Sequence, residues 1–282
     1  MYVSMKTLLD KANAENYAVV AANVINFETA RAAINAAEEE NAPIIINHAH
    51  GHIMNYVRGE YIAPIIRKMA EESKVPVALN LDHGRDFAMV ANVIQWRFSS
   101  VMIDASTRSL EENIAITKEV VKLAHSLGVT VEAEIGHVGQ GNEYVEKDPS
   151  KLYTDPKEAK YFVEQTGVDA LAVAVGTAHG EYKGTPKIDF ERLMLLKETL
   201  KMPLVLHGGS GTGDENLKKA VECGINKVNI FTDSIVASRD EVLRILLENP
   251  KTNYMELLAA GEKAMKETLK HYIRLFGSSN KA

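Results

Sequence analysis

The stretch SVMIDASTRSLEENIAITKEVVKLAHSLGVTVEAEI, residues 100–135, contains a complete strand–helix–strand pattern. Two apolar, β-branched runs of strand length, Ser100 to Asp104 and Val129 to Ile135, stand at its ends. Between them, Ser109 with a glutamate three residues later predicts the capping box of a helix start, and Gly128 is typical of the left-handed residue that follows a helix end. The stretch therefore predicts a βαβ unit with two parallel strands.

The same alternation continues over the rest of the chain. Several of the runs are continuously apolar, as strands buried on both faces of a parallel sheet are. The eight runs are Ala18 to Val24, Pro43 to Asn47, Pro76 to Leu81, Ser100 to Asp104, Val129 to Ile135, Ala170 to Val175, Pro203 to His207 and Lys227 to Phe231. Because no linker divides them, we predict one α/β domain over residues 1–282, a single (β/α)8 TIM barrel. A doubly wound open sheet is the alternative, since periodicity does not reveal closure.

Composition excludes several classes of function. The 282 residues carry a formal net charge of −6, with Lys and Arg interspersed among Asp and Glu, so the basic surface needed for nucleic-acid binding is not expected. No apolar stretch has the length of a signal peptide core or a membrane span. The one cysteine, Cys223, offers no disulfide and no thiolate pair, which indicates a cytoplasmic protein. Any metal is therefore expected on His, Asp or Glu.

Chemically active side chains fall at the predicted strand ends, where a barrel places its active site. Three of them are His83, His179 and His207. Three neutral imidazoles with an open fourth position are typical of a catalytic zinc site, whereas a single histidine near a strand end is more often a hydrogen-bonded structural residue. The other polar residues at strand ends are Asn23, Asp82, Asp104, Glu132, Glu134, Asn229 and Thr232.

Three of these carboxylates, Asp104, Glu132 and Glu134, suit positions behind the metal. There they would orient the histidine rings or offer the ion a second resting position. The alternative is a buried polar network that holds no metal.

Glycine-rich loops follow two of the strands. Residues 208–211 (GGSG) let backbone N–H groups approach an anion, and the helix predicted to start near Thr212 aims its positive end the same way. This pattern predicts a phosphate cradle, to which Gly176, Gly180 and Lys183 on a neighbouring loop are expected to add donors and a charge. A tight turn without a ligand is the alternative.

Two further segments carry polar residues without a decided role. The loop 136–143 is punctuated by glycines, as a mobile lid is, and would bring Glu143 into the site; a solvated acidic loop is the alternative. His48, His50 and His52 follow the second strand, and they suit a second metal site, substrate contacts or an exposed polar loop.

The ordered set of motifs resembles the class II, zinc-dependent fructose/tagatose-bisphosphate aldolases over nearly the whole chain. The motifs are Asn23 and residues 81–84 (LDHG), 101–106 (VMIDAS), 131–134 (VEAE), 176–180 (GTAHG), 206–211 (LHGGSG), 228–229 (VN) and 276–278 (FGS). The resemblance implies an enzyme of carbohydrate metabolism that reversibly cleaves a ketose 1-phosphate or 1,6-bisphosphate to dihydroxyacetone phosphate and an aldehyde. It also implies a homodimer or homotetramer. A zinc hydrolase and a non-catalytic sugar-phosphate-binding barrel are the alternatives.

The same resemblance assigns roles to single residues. It implies that His83, His179 and His207 bind Zn²⁺ and that Asp82 is the acid/base group. It further implies catalytic roles for Glu143, as the group that exchanges the substrate proton, and for Asn229. The residues expected to contact dihydroxyacetone phosphate are Asn23, Gly180, Lys183, Gly208, Gly209, Ser210, Asn229 and Thr232.

A monovalent cation, Na⁺ or K⁺, is also implied near the phosphate. Its expected ligands are the backbone oxygens of Ala178, Gly180 and Gly208 together with Ser210. The sixth predicted strand, Ala170 to Val175, contains no lysine, which argues against the Schiff-base type of aldolase.

Two positions depart from the resemblance. The family has Ser or Thr where this chain has Ala49, and an Asp-Pro-Arg-like segment where this chain has Asn253-Tyr254-Met255. Because both positions are associated with the second, distal phosphate, we expect a ketose 1-phosphate whose distal end is uncharged or carries another polar group. For a charged distal end, the candidate binding residues are an arginine of another subunit or His48, His50, Arg239 and Arg274.

Overall fold

Eight parallel strands close into a barrel in the computed structural model, which describes residues 1–140, 153–180, 182 and 184–282. All eight predicted runs form strands, and the first strand (Val19–Asn23) pairs with the last (Ile225–Ile230), so the barrel is confirmed and the open sheet is excluded. Numbered in chain order with two further short strands, the barrel strands are β1 (Val19–Asn23), β2 (Ile44–Ala49), β3 (Val77–Gly84), β4 (Ser100–Ile103), β5 (Thr130–Ile135), β7 (Ala170–Val173), β9 (Leu204–Leu206) and β10 (Ile225–Ile230).

The helices pack around the barrel and supply its outer layer. They are α1 (Met5–Glu15), α2 (Phe27–Glu39), α3 (His50–Asn55), α4 (Gly59–Glu72), α5 (Phe87–Gln95), α6 (Leu110–Ser126), α7 (Pro156–Thr166), α8 (Phe190–Leu200), α9 (Asp214–Glu222), α10 (Thr232–Glu248) and α11 (Tyr254–Leu275). The predicted capping box of Ser109 and Glu112 forms at the start of α6, and Gly167 is the left-handed C-cap of α7. Among the described residues, no helix is long and apolar enough to cross a membrane.

The barrel interior is apolar at one end and polar at the other. At the amino-terminal end of the strands, small and branched side chains such as Ala21, Ile45 and Val205 fill the interior, and the buried Met5 and Leu9 of α1 pack in the same apolar cluster. At the carboxyl-terminal end, the buried inward positions are polar or charged. The chemically active residues therefore share one end of the barrel, as the strand-end pattern predicts.

Two details differ from the sequence-based expectations. A second sheet joins β6 (Gly139–Gln140) to β8 (Ala178–His179) above the barrel. It was not predicted from the sequence, because a two-residue strand leaves no periodic signal. The helix expected near Thr212 begins at Asp214 instead, with Gly213 as its cap. Thr212 does not cap this helix, because its hydroxyl donates to the Gly208 carbonyl oxygen at 2.9 Å.

Candidate metal centre and active site

Three histidine rings converge at the carboxyl end of the barrel. Nε2 of His83, at the end of β3, lies 2.8 Å from Nδ1 of His207 and 3.1 Å from Nε2 of His179. His83 has a left-handed backbone, with φ of 48°, and it lies where the pairing of β3 with β4 shifts register. This local irregularity accompanies the projection of the ring into the site.

Carboxylates hold the outer nitrogens of two of these rings. Oδ2 of Asp104 lies 2.8 Å from Nδ1 of His83, and Oε1 of Glu132 lies 2.9 Å from Nε2 of His207. Because an ionised carboxylate only accepts, the outer ring nitrogens carry the protons. The lone pairs of the inner nitrogens then face one another.

The donor set fits a divalent cation. Converging lone pairs repel unless a cation lies between them, and imidazole nitrogens are preferred ligands of zinc. Burial and His83 lower the pKa of His179 to about 4, and burial together with His83 holds the pKa of His207 well below its usual value. At His83 burial acts in the same direction, but Asp82 and Asp104 outweigh it and raise the pKa to about 9. The site thus carries a negative field that favours one positive charge at its centre.

Glu132 also pairs with a buried lysine. Its Oε2 accepts from Nζ of Lys227 on β10 at 2.8 Å, and both side chains are fully buried. A lone carboxylate at this depth would be strongly disfavoured. Lys227 therefore compensates the negative charge of Glu132, which orients His207. Sequence reasoning missed the role of Lys227, because its partner Glu132 lies far away in the chain.

Glu134 lies beside the same centre. Its Oε1 accepts from the backbone N–H of Val138 at 3.1 Å, and burial with the nearby Asp104 carboxylate raises its pKa to about 8. Ligand atoms of His83, Asp104 and Glu134 lie within 4.8 Å of one another, as do those of the three histidines. The two groups share His83, so the geometry is compatible with the predicted second resting position.

Asp82 is buried next to the three histidines and receives two amide donors. Nδ2 of Asn23 lies 2.7 Å from its Oδ2, and Nδ2 of Asn229 lies 3.0 Å from its Oδ1. Burial alone would raise the pKa of Asp82, but the positive charges of His83 and Lys227 help to lower it below its ordinary value. The carboxylate is therefore ionised and held at both oxygens.

A chain of buried amides continues behind Asn23. Asn80 donates to Asn47 at 3.0 Å, and Asn47 donates to Asn23 at 3.3 Å. These residues occupy inward positions on the neighbouring strands β1, β2 and β3. Sequence reasoning missed Asn47 and Asn80, although their two-residue spacing from Ala49 and Asp82 is the available signal.

The glycine-rich turn after β9 approaches neighbouring backbone closely. Gly208 has φ of 69°, and a Cβ built on it would lie 2.1 Å from the Ala178 carbonyl oxygen. Ser210 accepts from the backbone N–H groups of Phe231 and Asp233 at 3.2 and 3.3 Å. The turn therefore needs glycine, and it is tied to the beginning of α10.

A cavity of about 420 Å³ lies beside this turn. Its lining includes Gly180, Ser210, Gly211 and Thr232. The helix that begins at this cavity is α10, whereas the sequence pattern assigned that role to the helix now numbered α9. The glycines of the turn and the positive end of a helix thus meet as a phosphate cradle requires.

The other residues expected to contact the phosphate or the monovalent cation do not all line the cavity. Gly209 packs against Val228 and Gly176 against the backbone of Lys187, so both allow close packing and neither lines the cavity. The Gly208 carbonyl oxygen accepts from the hydroxyls of Tyr182 and Thr212, at 2.9 Å each. The Na⁺ or K⁺ site therefore remains a prediction.

Two expected site residues, Glu143 and Lys183, lie outside the described residues, and so do residues 141–143 at the end of the expected lid. His48, near the end of β2, and His50 and His52 of α3 do not gather around a common point. The fully buried His48 faces the carbonyl oxygens of Val24 and Val57 at 3.1 and 3.0 Å, and His50 accepts from the backbone N–H of Arg85 at 3.1 Å. Among the described residues, none of the three belongs to a cluster of metal-ligating atoms, so the alternative of a second metal site finds no support there.

The centre opens on two sides. A cavity of about 140 Å³ leads towards the cradle and is lined by Asp82, by His179 and by most of the expected substrate contacts: Asn23, Gly180, Gly208, Ser210, Asn229 and Thr232. A larger cleft of about 590 Å³ lies on the other side, next to His83 and Asp104. Ala49, His52 and His179 line both spaces. The three histidines thus lie between two spaces, one towards the cradle and one towards the larger cleft.

The arginines proposed from sequence for a distal anion lie elsewhere. Arg239 pairs with Asp240, and Arg274 pairs with Glu40. Neither lines the cleft. Asn253 caps α11 by accepting from the backbone N–H of Glu256, so this segment serves the helix end.

Comparisons with known proteins match the chain over its whole length. The family model described as "Fructose-bisphosphate aldolase class-II" matches residues 3–281. The chain is 42% identical to the fructose-bisphosphate aldolase of Staphylococcus aureus (strain Mu50 / ATCC 700699) and 40% identical to the probable fructose-bisphosphate aldolase of Bacillus subtilis (strain 168), covering 99% of each chain. Among solved structures, the YdjI aldolase from Escherichia coli K12 is 36% identical, with a TM-score of 0.88 and coverage of 100% of both chains.

Proposed function

The chain belongs to the class II fructose-bisphosphate aldolase family and is a carbon–carbon lyase, and on that premise we propose a zinc-dependent aldolase acting on a ketose 1-phosphate or ketose 1,6-bisphosphate. The products of cleavage are dihydroxyacetone phosphate and an aldehyde. The observation that carries the proposal is the convergence of three imidazole nitrogens beside the buried Asp82 carboxylate.

His83, His179 and His207 would hold the zinc ion. When bound, zinc acts as a Lewis acid that polarises the ketone oxygen of the substrate. Asp104 and Glu132 fix the ring orientations from behind, because each accepts from an outer ring nitrogen. The absence of a lysine in residues 170–175 agrees with this metal-dependent type.

Asp82 is the group that moves the proton at the reacting hydroxyl. In cleavage, its carboxylate takes the proton of the hydroxyl on the carbon that becomes the aldehyde, as the carbon–carbon bond breaks. The electron pair of that bond stays on the dihydroxyacetone phosphate half, whose carbon is then protonated, which is the role that the resemblance gives to Glu143. In condensation Asp82 returns its proton to the hydroxyl. Asn23 and Asn229 support this role, because their amides fix both carboxylate oxygens while leaving further lone pairs for the substrate.

The phosphate of the dihydroxyacetone half binds beside the turn after β9. Ser210, Gly180 and Thr232 line the cavity there, and the positive end of α10 favours an anion. Asn229 faces the smaller cavity between the metal centre and the cradle. Lys183 and Glu143 are assigned to the phosphate and to substrate proton exchange by family resemblance alone.

Removal of the metal tests the proposed function against a hydrolase or a binding barrel. We expect EDTA to abolish retro-aldol cleavage and Zn²⁺ to restore it, and borohydride with substrate to cause no inactivation. Cleavage that persists in the metal-free protein would refute the proposal. Hydrolysis without carbon–carbon cleavage would favour the hydrolase, and phosphate binding without turnover would favour the binding barrel.

Four finer expectations accompany this function. We infer a single domain over residues 1–282, a cytoplasmic location, a homodimer or homotetramer, and a bound Na⁺ or K⁺. Sedimentation of the purified protein measures the subunit number, and replacing K⁺ and Na⁺ by a large organic cation tests the monovalent site through the KM of dihydroxyacetone phosphate.

A further inference from the structure

The larger cleft beside the metal centre has two arginines among its lining residues. Arg85 follows the end of β3 directly, and Arg108 lies in the loop between β4 and α6. Because β3 and β4 are neighbours in the barrel, both loops leave the same sector of its rim. The cleft that begins at His83 and His179 thus includes two guanidinium-bearing side chains on adjacent loops.

Arg85 and Arg108 differ from most arginines of this chain. Within the described ranges, neither guanidinium forms a hydrogen bond or an ion pair with the protein. Seven other arginines form ion pairs with Asp or Glu side chains: Arg31, Arg58, Arg67, Arg192, Arg239, Arg244 and Arg274. The carboxylate that lines the cleft, Asp104, is engaged by His83 and Ser106. Positive charge is therefore available at the cleft.

The cleft is also placed to receive the aldehyde half of the substrate. Ala49, His52 and His179 border both the cleft and the smaller cavity towards the cradle. A substrate whose phosphate lies in the cradle and whose ketone lies at the histidines extends past Ala49 into the cleft. The Ala49 methyl group donates no hydrogen bond, so donors for a distal group must come from elsewhere in the cleft.

We propose that Arg85 and Arg108 recognise an anionic group, a phosphate or a carboxylate, at the distal end of the aldehyde substrate. This assignment rests on the proposed aldolase function and names its second substrate as a negatively charged aldehyde. It replaces the expectation of an uncharged distal end, which depended on finding no arginine at the site. Guanidinium groups suit both anions, because their planar donors match the oxygens of each.

Matched aldehydes measure this preference. Condensation with dihydroxyacetone phosphate is followed for glyceraldehyde 3-phosphate against glyceraldehyde, and for succinic semialdehyde against butanal. We expect kcat/KM to favour the charged member of at least one pair by about tenfold or more, as a hydrogen bond to a charged group would give. The pair with the larger ratio identifies phosphate or carboxylate as the recognised group.

Substitution then tests the two arginines. Arg85→Gln and Arg108→Gln are each expected to lower the ratio of charged to neutral kcat/KM, and the double variant to bring it close to one. Arg97→Gln is the matched control, because Arg97 is exposed, lies outside ion pairs in the described chain, and precedes β4 at the opposite end of the barrel. Thermal unfolding confirms that each variant is folded.

The outcomes separate this inference from the proposed function. Exchange of the dihydroxyacetone phosphate methylene proton in D₂O needs no aldehyde and reports the metal-dependent step alone. Exchange without any charge preference, or a preference that survives the double variant, would overturn the assignment of Arg85 and Arg108 only. Absence of both exchange and condensation in the unmodified enzyme would overturn the proposed function and this inference with it.

Discussion

Nε2 of His207 lies 2.9 Å from Oε1 of Glu132, and both side chains are fully buried. The contact sets the tautomer of the ring, because the proton on Nε2 leaves the lone pair of Nδ1 directed at His83. Lys227 binds the other oxygen of Glu132 and supplies the compensating charge. The orientation of one inner nitrogen thus depends on a buried ion pair that reaches from β5 to β10.

Removal of Lys227 tests this ion pair. Lys227→Met leaves the Glu132 carboxylate buried without its cation, so we expect the free energy of unfolding to fall by about 3–5 kcal/mol. Urea unfolding of the metal-saturated protein measures it. The double variant Glu132→Gln with Lys227→Met is the control and should recover most of the loss, because neither charge remains. A loss below about 1 kcal/mol in Lys227→Met would contradict the buried-charge argument.

Substitutions of the adjacent residues Asp82 and His83 are predicted to affect catalysis and metal binding differently. Asp82→Asn should keep zinc bound and lower kcat on the order of 10²-fold or more, since a positioned proton acceptor is lost. His83→Ala should lower zinc content and activity together. Elemental analysis beside the cleavage rate distinguishes the two. Near-full turnover in Asp82→Asn would show that the proton-transfer assignment is wrong.

Gly208 and Gly167 allow backbone strain to be separated from close packing. Both have φ of 69°, but a Cβ on Gly167 meets nothing within 4 Å, whereas one on Gly208 lies 2.1 Å from the Ala178 carbonyl oxygen. Gly167→Ala should cost about 1–2 kcal/mol of stability from the left-handed backbone alone. Gly208→Ala should cost more and raise the KM of dihydroxyacetone phosphate, because the cradle must shift. Equal losses of stability, with unchanged KM, would disprove the close-approach argument.

We predict that the contribution of Lys197 to the free energy of unfolding rises at alkaline pH. Nζ donates to Asn13, Met202 and Asn226, yet burial lowers its pKa to about 8. Between that value and about 10.4 in the unfolded chain, the unfolded state binds more protons. The contribution of Lys197 to the free energy of unfolding therefore increases from pH 8 to about pH 10.

Unfolding measured across this range, compared with Lys197→Gln, isolates the contribution of Lys197 from those of other titrating groups. The difference in free energy of unfolding between the parent protein and the variant should shift in favour of the parent as the pH rises. A pH-independent difference would mean that the ammonium group is not disfavoured by burial.

Local sequence signals were sufficient for the elements and for the residue type that gathers at the candidate metal centre. The eight apolar runs, the capping box at Ser109 and the left-handed Gly128 after α6 depend on neighbours in the chain, and all appear in the structure. The three histidines were recognisable because parallel strands bring their carboxyl ends to one edge. The helix predicted to start near Thr212, however, begins at Asp214, and the Thr212 hydroxyl donates to the Gly208 carbonyl oxygen.

Barrel closure decided the contacts that orient these groups. Glu132 and Lys227 are 95 positions apart in the chain, and Asp82 and Asn229 are 147 positions apart. Such contacts have no periodic signature, because the curvature and register of the whole sheet determine which inward side chains touch. For the same reason, only the tertiary structure showed that Arg85 and Arg108 share a cleft, while Arg239 and Arg274 are held in ion pairs elsewhere. The sequence determined the chemistry available at the strand ends, and the closed barrel determined which groups act together.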